Sequence, residues 1–478
     1  MVMYSVDAET FYDANGDGIG DFRGLITRLD YLAGMGINCI WVLPFFPSPN
    51  RDNGYDVMDY YNVDPTLGTL GEFVEFIDHA NDLGIRVIID LVINHTSVKH
   101  SWFQEARKKP QSKYHNYYVW SDEPKNFDKE DLPLIGEENT LWTYDESAKK
   151  YYLHRFYKEQ PDLNIGNLEV RKEILRIIGF WLKLGVSGFR IDAAQMLVHP
   201  YGLDNITTED LVGFLEEMRD FISLKKGDAI LLGETNVKFD AMETYLKNGS
   251  KLHMLFDFHL NQQLFLALAR RSAAPLYKTL KKLPKRHPTN ELLNFLRTHD
   301  ELSLKLLTEK ERADVLKAFA PKENMRIFDD GIRRRLAPMF ENDENQMMLS
   351  FSLLFSLPGV PMIRYGDEIG MGDNLSLKGR KSVRTPMQWS DSRNGGFSLY
   401  EKKIPNQVIS KGEYSFSKVN VANAHLDSGS FLNWIERLIS ARKQCSMIGK
   451  GEVQLIENPH KSIFIHAYDH SNEKILFQ

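Results

Sequence analysis

The sequence predicts an α/β protein built on a TIM (β/α)8 barrel, with an inserted subdomain after the third strand and a short or truncated C-terminal β module. Three observations carry this. Short buried runs rich in Val and Ile recur along the chain, separated by segments of helical periodicity, the pattern of a parallel sheet covered by helices. That alternation reaches eight units, the number that closes a barrel. It also breaks once, from about Thr96 to Gly166, where the chain turns polar and aromatic for longer than a structureless loop would run in a compact protein.

The units follow in order. MYSVDAETF reads as the first strand, and FRGLITRLDYLAGMG as a helix that closes on Gly36. INCIWVLP is a buried second strand, LGEFVEFIDHANDLG an amphipathic helix, and IRVIIDLVINH the third strand. After the interruption come the helix NLEVRKEILRIIGFWLKLG and the fourth strand GFRID. TTEDLVGFLEEMRDFIS is a helix with Thr207 or Thr208 placed to cap it. AILLGE, KLHMLFDF and ELLNFLRTHD are strands five to seven. The helix QMMLSFSLLFSLPG precedes the eighth strand VPMIRYGDE, and SFLNWIERLISARKQC closes the barrel. The tail from Gly451 alternates apolar and polar residues and reads as antiparallel strands. The expected divisions are residues 1–95 and 166–447 for the barrel, 96–165 for the inserted subdomain and 448–478 for the partial C-terminal module.

Composition narrows the partners. The 478 residues are 42% hydrophobic and 26% charged with a net charge of −6, which gives no electrostatic reason to expect nucleic acid or an anionic membrane. No apolar run approaches the length of a spanning helix, and the start lacks the basic and apolar regions of a signal peptide. Two distant cysteines, Cys39 and Cys445, argue against a disulfide framework, so a cytoplasmic location is expected.

In such a barrel the chemistry sits at the carboxyl ends of the strands. Those ends carry Asp90, Asn94 and His95 after strand three, Arg190 and Asp192 after strand four, Glu234 after strand five, and His299 and Asp300 after strand seven. Arg190 and Asp192 are two apart, so they project together from a strand, and an arginine beside a carboxylate favours its ionised form. Asp192 and Glu234 end adjacent strands, roughly 4.8 Å apart, within reach of the ~5–5.5 Å separation of a retaining glycosidase pair. Asp192 is then the expected nucleophile. Glu234, in the apolar frame LLGET, is the expected acid and base, its pKa raised by desolvation.

Taken together, DLVINH (Asp90 to His95), GFRID (Gly188 to Asp192), LLGET (Leu231 to Thr235) and FLRTHD (Phe295 to Asp300) resemble the four signature segments of the alpha-amylase superfamily, in that family's order. The resemblance implies a retaining glycoside hydrolase or transglycosidase with Asp192 as nucleophile, Glu234 as acid/base and Asp300 as the third carboxylate, which holds sugar hydroxyls. It implies sugar contacts from His95 and His299, orientation of Asp192 by Arg190, and a subsite floor from Tyr55 and Asp56 in NGYDV. A closed floor implies exo-action on a small oligosaccharide. Gln160, in QPDLN, resembles the fifth segment of the alpha-glucosidase branch, and Arg384, in VRTPMQWSDSRNGGFS, matches an arginine near the sugar in that branch.

The loop Asp13, Asn15, Asp17, Ile19, Asp21 resembles the calcium loop of the same branch. Oxygen-bearing side chains at alternate positions with intervening glycines suit a hard cation. An EF-hand is excluded because its twelfth position is Gly24. A metal-free Asx-rich turn is the alternative, and no organic cofactor is expected. Within the branch the chain is most similar to the trehalose synthases, which interconvert maltose and trehalose, through GIRRRLAPMFEND, YGDEIGMGDN and VRTPMQW. The start of the inserted subdomain, DLPLIGEENT, departs from that subgroup. An exo-acting alpha-glucosidase or oligo-1,6-glucosidase, sucrose chemistry in the same branch, and a non-catalytic relative are the other readings. The last is disfavoured because all three carboxylates are present.

Overall fold

The computed structural model describes residues 1–127, 138–204, 206–283, 287–470 and 473–478. Eight parallel strands close on themselves in chain order: β1 (Met3–Val6), β2 (Cys39–Val42), β3 (Arg86–Leu91), β4 (Gly188–Ile191), β5 (Ile230–Gly233), β6 (Met254–Phe256), β7 (Glu291–Phe295) and β8 (Val360–Arg364). β1 pairs with β2 on one side and β8 on the other, Met3 lying level with both Cys39 and Met362. The expected (β/α)8 barrel is therefore closed.

Two apolar layers hold it. Inside the barrel, Met3, Cys39, Trp41, Ile88, Leu232, Phe256, Leu293, Phe295 and Met362 fill the bore. Outside, helices bury one face against the strands. The helix Leu70–Asp82 shows why: a capping box between Thr69 and Glu72 starts it, and Phe73, Phe76, Ile77 and Ala80 fall on one buried stripe. The helix Leu29–Met35 stops at Gly36, whose φ of 95° is a left-handed cap open to glycine. The helix Thr208–Lys225 is capped by Thr207, with Asp210 closing the box.

Some elements differ from expectation. β1 ends at Val6 rather than running through MYSVDAETF, because Asp7 accepts a hydrogen bond from the Glu9 amide and starts a short helix, Ala8–Phe11. The β7-to-β8 connection carries a small antiparallel sheet of Leu302–Ser303, Arg326–Ile327 and Gly331–Ile332 that periodicity did not show. In the run Arg333 to Arg335, Arg334 pairs with Asp373 at 3.0 Å and the fully buried Arg335 with Asp367 at 3.3 Å. Arg107 pairs with the buried Asp145 at 2.7 Å.

The segment after β3 contains an antiparallel sheet, Trp120–Ser121, Lys150–Leu153 and Trp142–Asp145, with the second strand central. It packs on Val119, Leu141, Trp142 and Leu153. Of the departing segment DLPLIGEENT, residues 131–137 lie outside the described residues. The tail forms the expected antiparallel strands, Glu452–Ile456, Ile465–His470 and Glu473–Phe477. Tyr468 donates from its hydroxyl to the Ser356 carbonyl at 2.8 Å, and Tyr277 to the Ile456 carbonyl at 2.7 Å, fastening tail to barrel. A cavity of about 830 Å3 lies between tail and barrel helices, lined by Leu268, Leu353, Leu438, Ile463, Phe464 and Phe477, and it contains none of the candidate site residues.

Candidate active site

Parallel register builds the site. Asp90 on β3 lies level with Arg190 on β4, and Ile191 lies level with Gly233 on β5, so the residues that follow, Asp192 and Glu234, leave the barrel side by side. Gly233 has no room for a side chain: a Cβ there would meet Leu252 Cδ1 at 2.4 Å and Leu255 Cδ2 at 3.0 Å. The strand thus approaches its neighbours closely where it hands over to Glu234.

Arg190 is the centre of this edge. Its side chain is 1% exposed, and it binds Asp192 Oδ1 through Nη1 at 2.7 Å and Glu234 Oε2 through Nη2 at 2.7 Å. Nη1 also pairs with Asp90. The second Asp90 oxygen accepts from Trp41 Nε1 at 2.8 Å. One guanidinium therefore serves three carboxylates. Burial raises the pKa of Asp192, and Arg190 opposes it without overcoming it. Arg190 pulls the Asp192 pKa down, as expected, but burial, with Asp300 adding to it, leaves the carboxyl above its ordinary value. Burial likewise raises Glu234, with Asp192 and Asp300 adding to the rise, and pushes Asp90 up to about 7. The Glu234 side chain is 25% exposed, the most open of the three candidate catalytic carboxylates.

The opposite edge is arranged differently. Asp300 Oδ1 receives Arg384 Nη2 at 2.5 Å and Arg380 Nε at 3.2 Å. Burial alone would raise its pKa, but the Arg380 and Arg384 guanidiniums outweigh it and hold the carboxyl well below the usual range. His299 Nε2 lies 2.8 Å from the Tyr55 hydroxyl and 3.3 Å from Asp300 Oδ2, and its ring stacks on Tyr55 at 5.6 Å and 8°. Burial keeps His299 neutral, with a pKa well below the ordinary histidine value. The Tyr55 hydroxyl accepts from Arg190 Nη1 at 3.2 Å. Tyr55 therefore joins the two edges.

Other candidates sit further back. Asp56 is fully buried and accepts from the Ser48 hydroxyl at 2.8 Å and the Asp52 amide at 3.2 Å, so it shapes the loop beneath Tyr55. His95 has both ring nitrogens engaged, Nε2 with the Tyr55 carbonyl at 3.1 Å and Nδ1 with Asn94 at 3.2 Å. Burial lowers its pKa to about 4, so it is neutral. Gln160 is also buried, and its amide donates to Asp52 Oδ2 at 2.9 Å. Arg384 fills its second role by donating from Nε to the His299 carbonyl at 2.9 Å.

The residue that sequence reasoning missed is Arg380. It lies four positions before Arg384 in a 3-10 turn, Gly379–Val383, and grips Glu301 at 2.7 and 3.2 Å as well as Asp300. Asp52 was missed too. Burial raises it to about 6, opposed by Arg380 and Arg384. Behind His95, Arg155 pairs with the buried Asp162 and donates to Asn94 Oδ1 at 2.8 Å.

At the Asp13 to Asp21 loop, the side-chain oxygens accept from the loop's own amides, and Asp13 Oδ2 also from the Ser398 hydroxyl at 2.5 Å. Asp13 accepts from Gly16 and Gly18, Asn15 from Asp17, Asp17 from Ile19, and Asp21 from Ala14, Asn15 and Gly24. These bonds make the loop a series of Asx turns. Among the described residues, no group of three His, Cys, Asp or Glu converges as a metal site.

A closed barrel with a subdomain after β3, and three carboxylates grouped with arginines at one mouth, defines a carbohydrate-processing barrel enzyme. The chain belongs to the alpha-amylase family: it matches the alpha-amylase catalytic domain over residues 6–322 and 328–451. It is 40% identical to a trehalose synthase/amylase of Mycolicibacterium smegmatis over 97% of this chain and 79% of that protein. It is 31% identical to an oligo-1,6-glucosidase of Parageobacillus thermoglucosidasius over 99% of this chain and 88% of that one. The crystal structure of an alpha-amylase from H.orenii superposes with a TM-score of 0.81 at 27% identity, covering 99% of this chain and 88% of the other.

Proposed function

We propose that the chain is a retaining alpha-glucosyl enzyme that interconverts maltose and trehalose. The observation that carries this is the single Arg190 guanidinium holding Asp192 and Glu234 together at the ends of adjacent strands. In the first half-reaction Asp192 attacks the anomeric carbon of the non-reducing glucose, and Glu234 gives its proton to the departing oxygen. A raised Glu234 pKa suits a proton donor at neutral pH. In the second half-reaction Glu234 takes the proton from an incoming hydroxyl, which displaces Asp192. If that hydroxyl is the anomeric one of the glucose just released, the product is trehalose; if it is water, the product is glucose. Asp300, held ionised by Arg380 and Arg384, accepts hydrogen bonds from sugar hydroxyls beside the reacting carbon. The similarity to the M. smegmatis protein supports isomerisation, and that to the oligo-1,6-glucosidase supports hydrolysis as the second reading. Incubation with maltose followed by NMR separates them. Trehalose with little glucose is expected, glucose alone assigns the hydrolase, and no turnover of maltose or other alpha-glucosides overturns the proposal.

A calcium ion at the Asp13, Asn15, Asp17, Ile19, Asp21 loop is a separate proposal. Its support is the alternation of oxygen donors, each carboxylate keeping lone pairs beyond those its amides use. A fall in melting temperature on chelation, restored by added calcium, is expected; an unchanged melting temperature at saturating EDTA removes the ion from the account.

A further inference from the structure

Each of the three candidate catalytic carboxylates is followed, two or three positions later, by a polar side chain: Gln195 after Asp192, Asn236 after Glu234 and Ser303 after Asp300. The structure ties these together. The Asn236 amide donates to Gln195 Oε1 at 2.8 Å, and Asn236 Nδ2 donates to Ser303 Oγ at 3.0 Å. Asn236 Oδ1 accepts from Gln262 Nε2 at 3.1 Å. Gln262, on the helix Phe258–Arg270 after β6, is fully buried, and its Oε1 accepts from the Leu306 amide at 2.8 Å. A hydrogen-bonded girdle therefore runs through the loops after β4, β5 and β7, anchored on β6's helix.

The girdle bears on one atom in particular. Glu234 Oε2 is held by Arg190 at 2.7 Å and by the Ala193 amide at 3.1 Å. Ala193 belongs to the same loop as Gln195, and Asn236 is two residues from Glu234. The Gln195–Asn236 link thus crosses the same two loops as the Ala193–Glu234 link. Together they tie the loop that carries Glu234 to the loop that follows Asp192. Gln262 fixes Asn236 in turn. Its amide is oriented by two opposed demands, a donor to Asn236 and an acceptor for Leu306, which an apolar side chain of the same length meets in neither direction.

We infer that Gln262, acting through Asn236, is a positioning residue that sets the Glu234 carboxyl for proton transfer. This rests on the reading of Glu234 as acid/base. A displacement of about 1 Å at a reacting group is worth roughly 10²-fold in rate, so a buried residue that never touches substrate can govern the acid step.

The test is Gln262→Met, similar in length, on maltose and on an aryl alpha-glucoside whose leaving group departs without protonation. If Gln262 positions the acid, kcat/KM on maltose falls at least tenfold more than on the aryl glucoside, with Gln262→Glu recovering part of the loss. Equal losses on both substrates, or none, overturn the inference. Gln195→Leu, half-buried and outside the core, gives the second reading should Gln262→Met fold poorly. It must shift the same ratio in the same direction, and an unchanged ratio also overturns the inference. Absence of glucosidic activity in the wild-type protein instead overturns the functional reading and is distinguished by that control.

Discussion

The two edges of the cleft hold the same kind of group under opposite regimes. On the β4–β5 edge one guanidinium serves Asp90, Asp192 and Glu234; on the β7–β8 edge two guanidiniums serve Asp300. All these carboxylates are removed from bulk water, yet burial wins on the first edge and the arginines win on the second. The number of cations per carboxylate sets how far the upward pull of burial is offset: one guanidinium shared among three leaves Asp192 and Glu234 raised, and two on Asp300 leave it depressed. Glu234 is thereby suited to exchanging a proton, and Asp300 to keeping a fixed negative charge beside an oxocarbenium-like centre.

The comparison is tested most severely at the reacting pair. Asp192→Asn is expected to abolish turnover of maltose, and Glu234→Gln to reduce kcat by ~10²–10⁴-fold. Retained turnover in Asp192→Asn, measured by product NMR, removes Asp192 as nucleophile. Arg384→Met attacks the other edge. With a cation gone, the Asp300 pKa rises towards the ordinary carboxylate range, read by infrared titration of its carboxyl against an Asp300→Asn background. An unmoved Asp300 titration means Asp300 owes its ionisation to something other than this pair.

Stability separates the edges with opposite signs. A carboxyl with a depressed folded-state pKa contributes stability that is present above its unfolded pKa and lost as pH falls through the folded one. Asp300→Asn is therefore destabilising at pH 7, by about 3 kcal/mol given the arginine it leaves buried without an acid, with the deficit narrowing in acid. For Glu234 the raised pKa reverses the sign. The folded state holds the proton more tightly, so the ionised carboxylate weakens the fold above its unfolded pKa. Glu234→Gln is expected to melt a few degrees higher than wild type at pH 7, the smallest of these effects, with the gain shrinking towards pH 4. Melting curves of both variants across that range decide it; shifts of the same sign in both break the comparison.

The barrel was legible because its strands are continuous apolar runs and its helices carry their own stop signals, as at Gly36. β1 was overread because a single side chain, Asp7, competes for the backbone and ends the strand early. The carboxylates were legible from strand ends alone. Their environments were not. Arg190 beside Asp192 is visible in four letters, but its sharing with Asp90 and Glu234 arises from parallel register between strands distant in sequence. Arg380 reaches Glu301 across 79 positions, by way of a loop with no periodic signature. Gln160, His95 and Asp56 sit in the segments where a sugar site was expected. Their polar atoms are turned to the protein, holding Asp52, the Tyr55 carbonyl and the Ser48 loop.

Ala193 sits on a strained turn. Its φ of 44° and ψ of 43° lie in the left-handed region, which a side chain with a Cβ enters at a cost of order 1–3 kcal/mol. That turn aims the amide at Glu234. Glycine would relieve the strain in the folded chain while loosening the unfolded one, and it would free the donor to wander. Selection for heat resistance and selection for turnover thus pull on the same alanine in different directions. An effort to harden this enzyme by smoothing its unfavourable torsions would begin by blunting it.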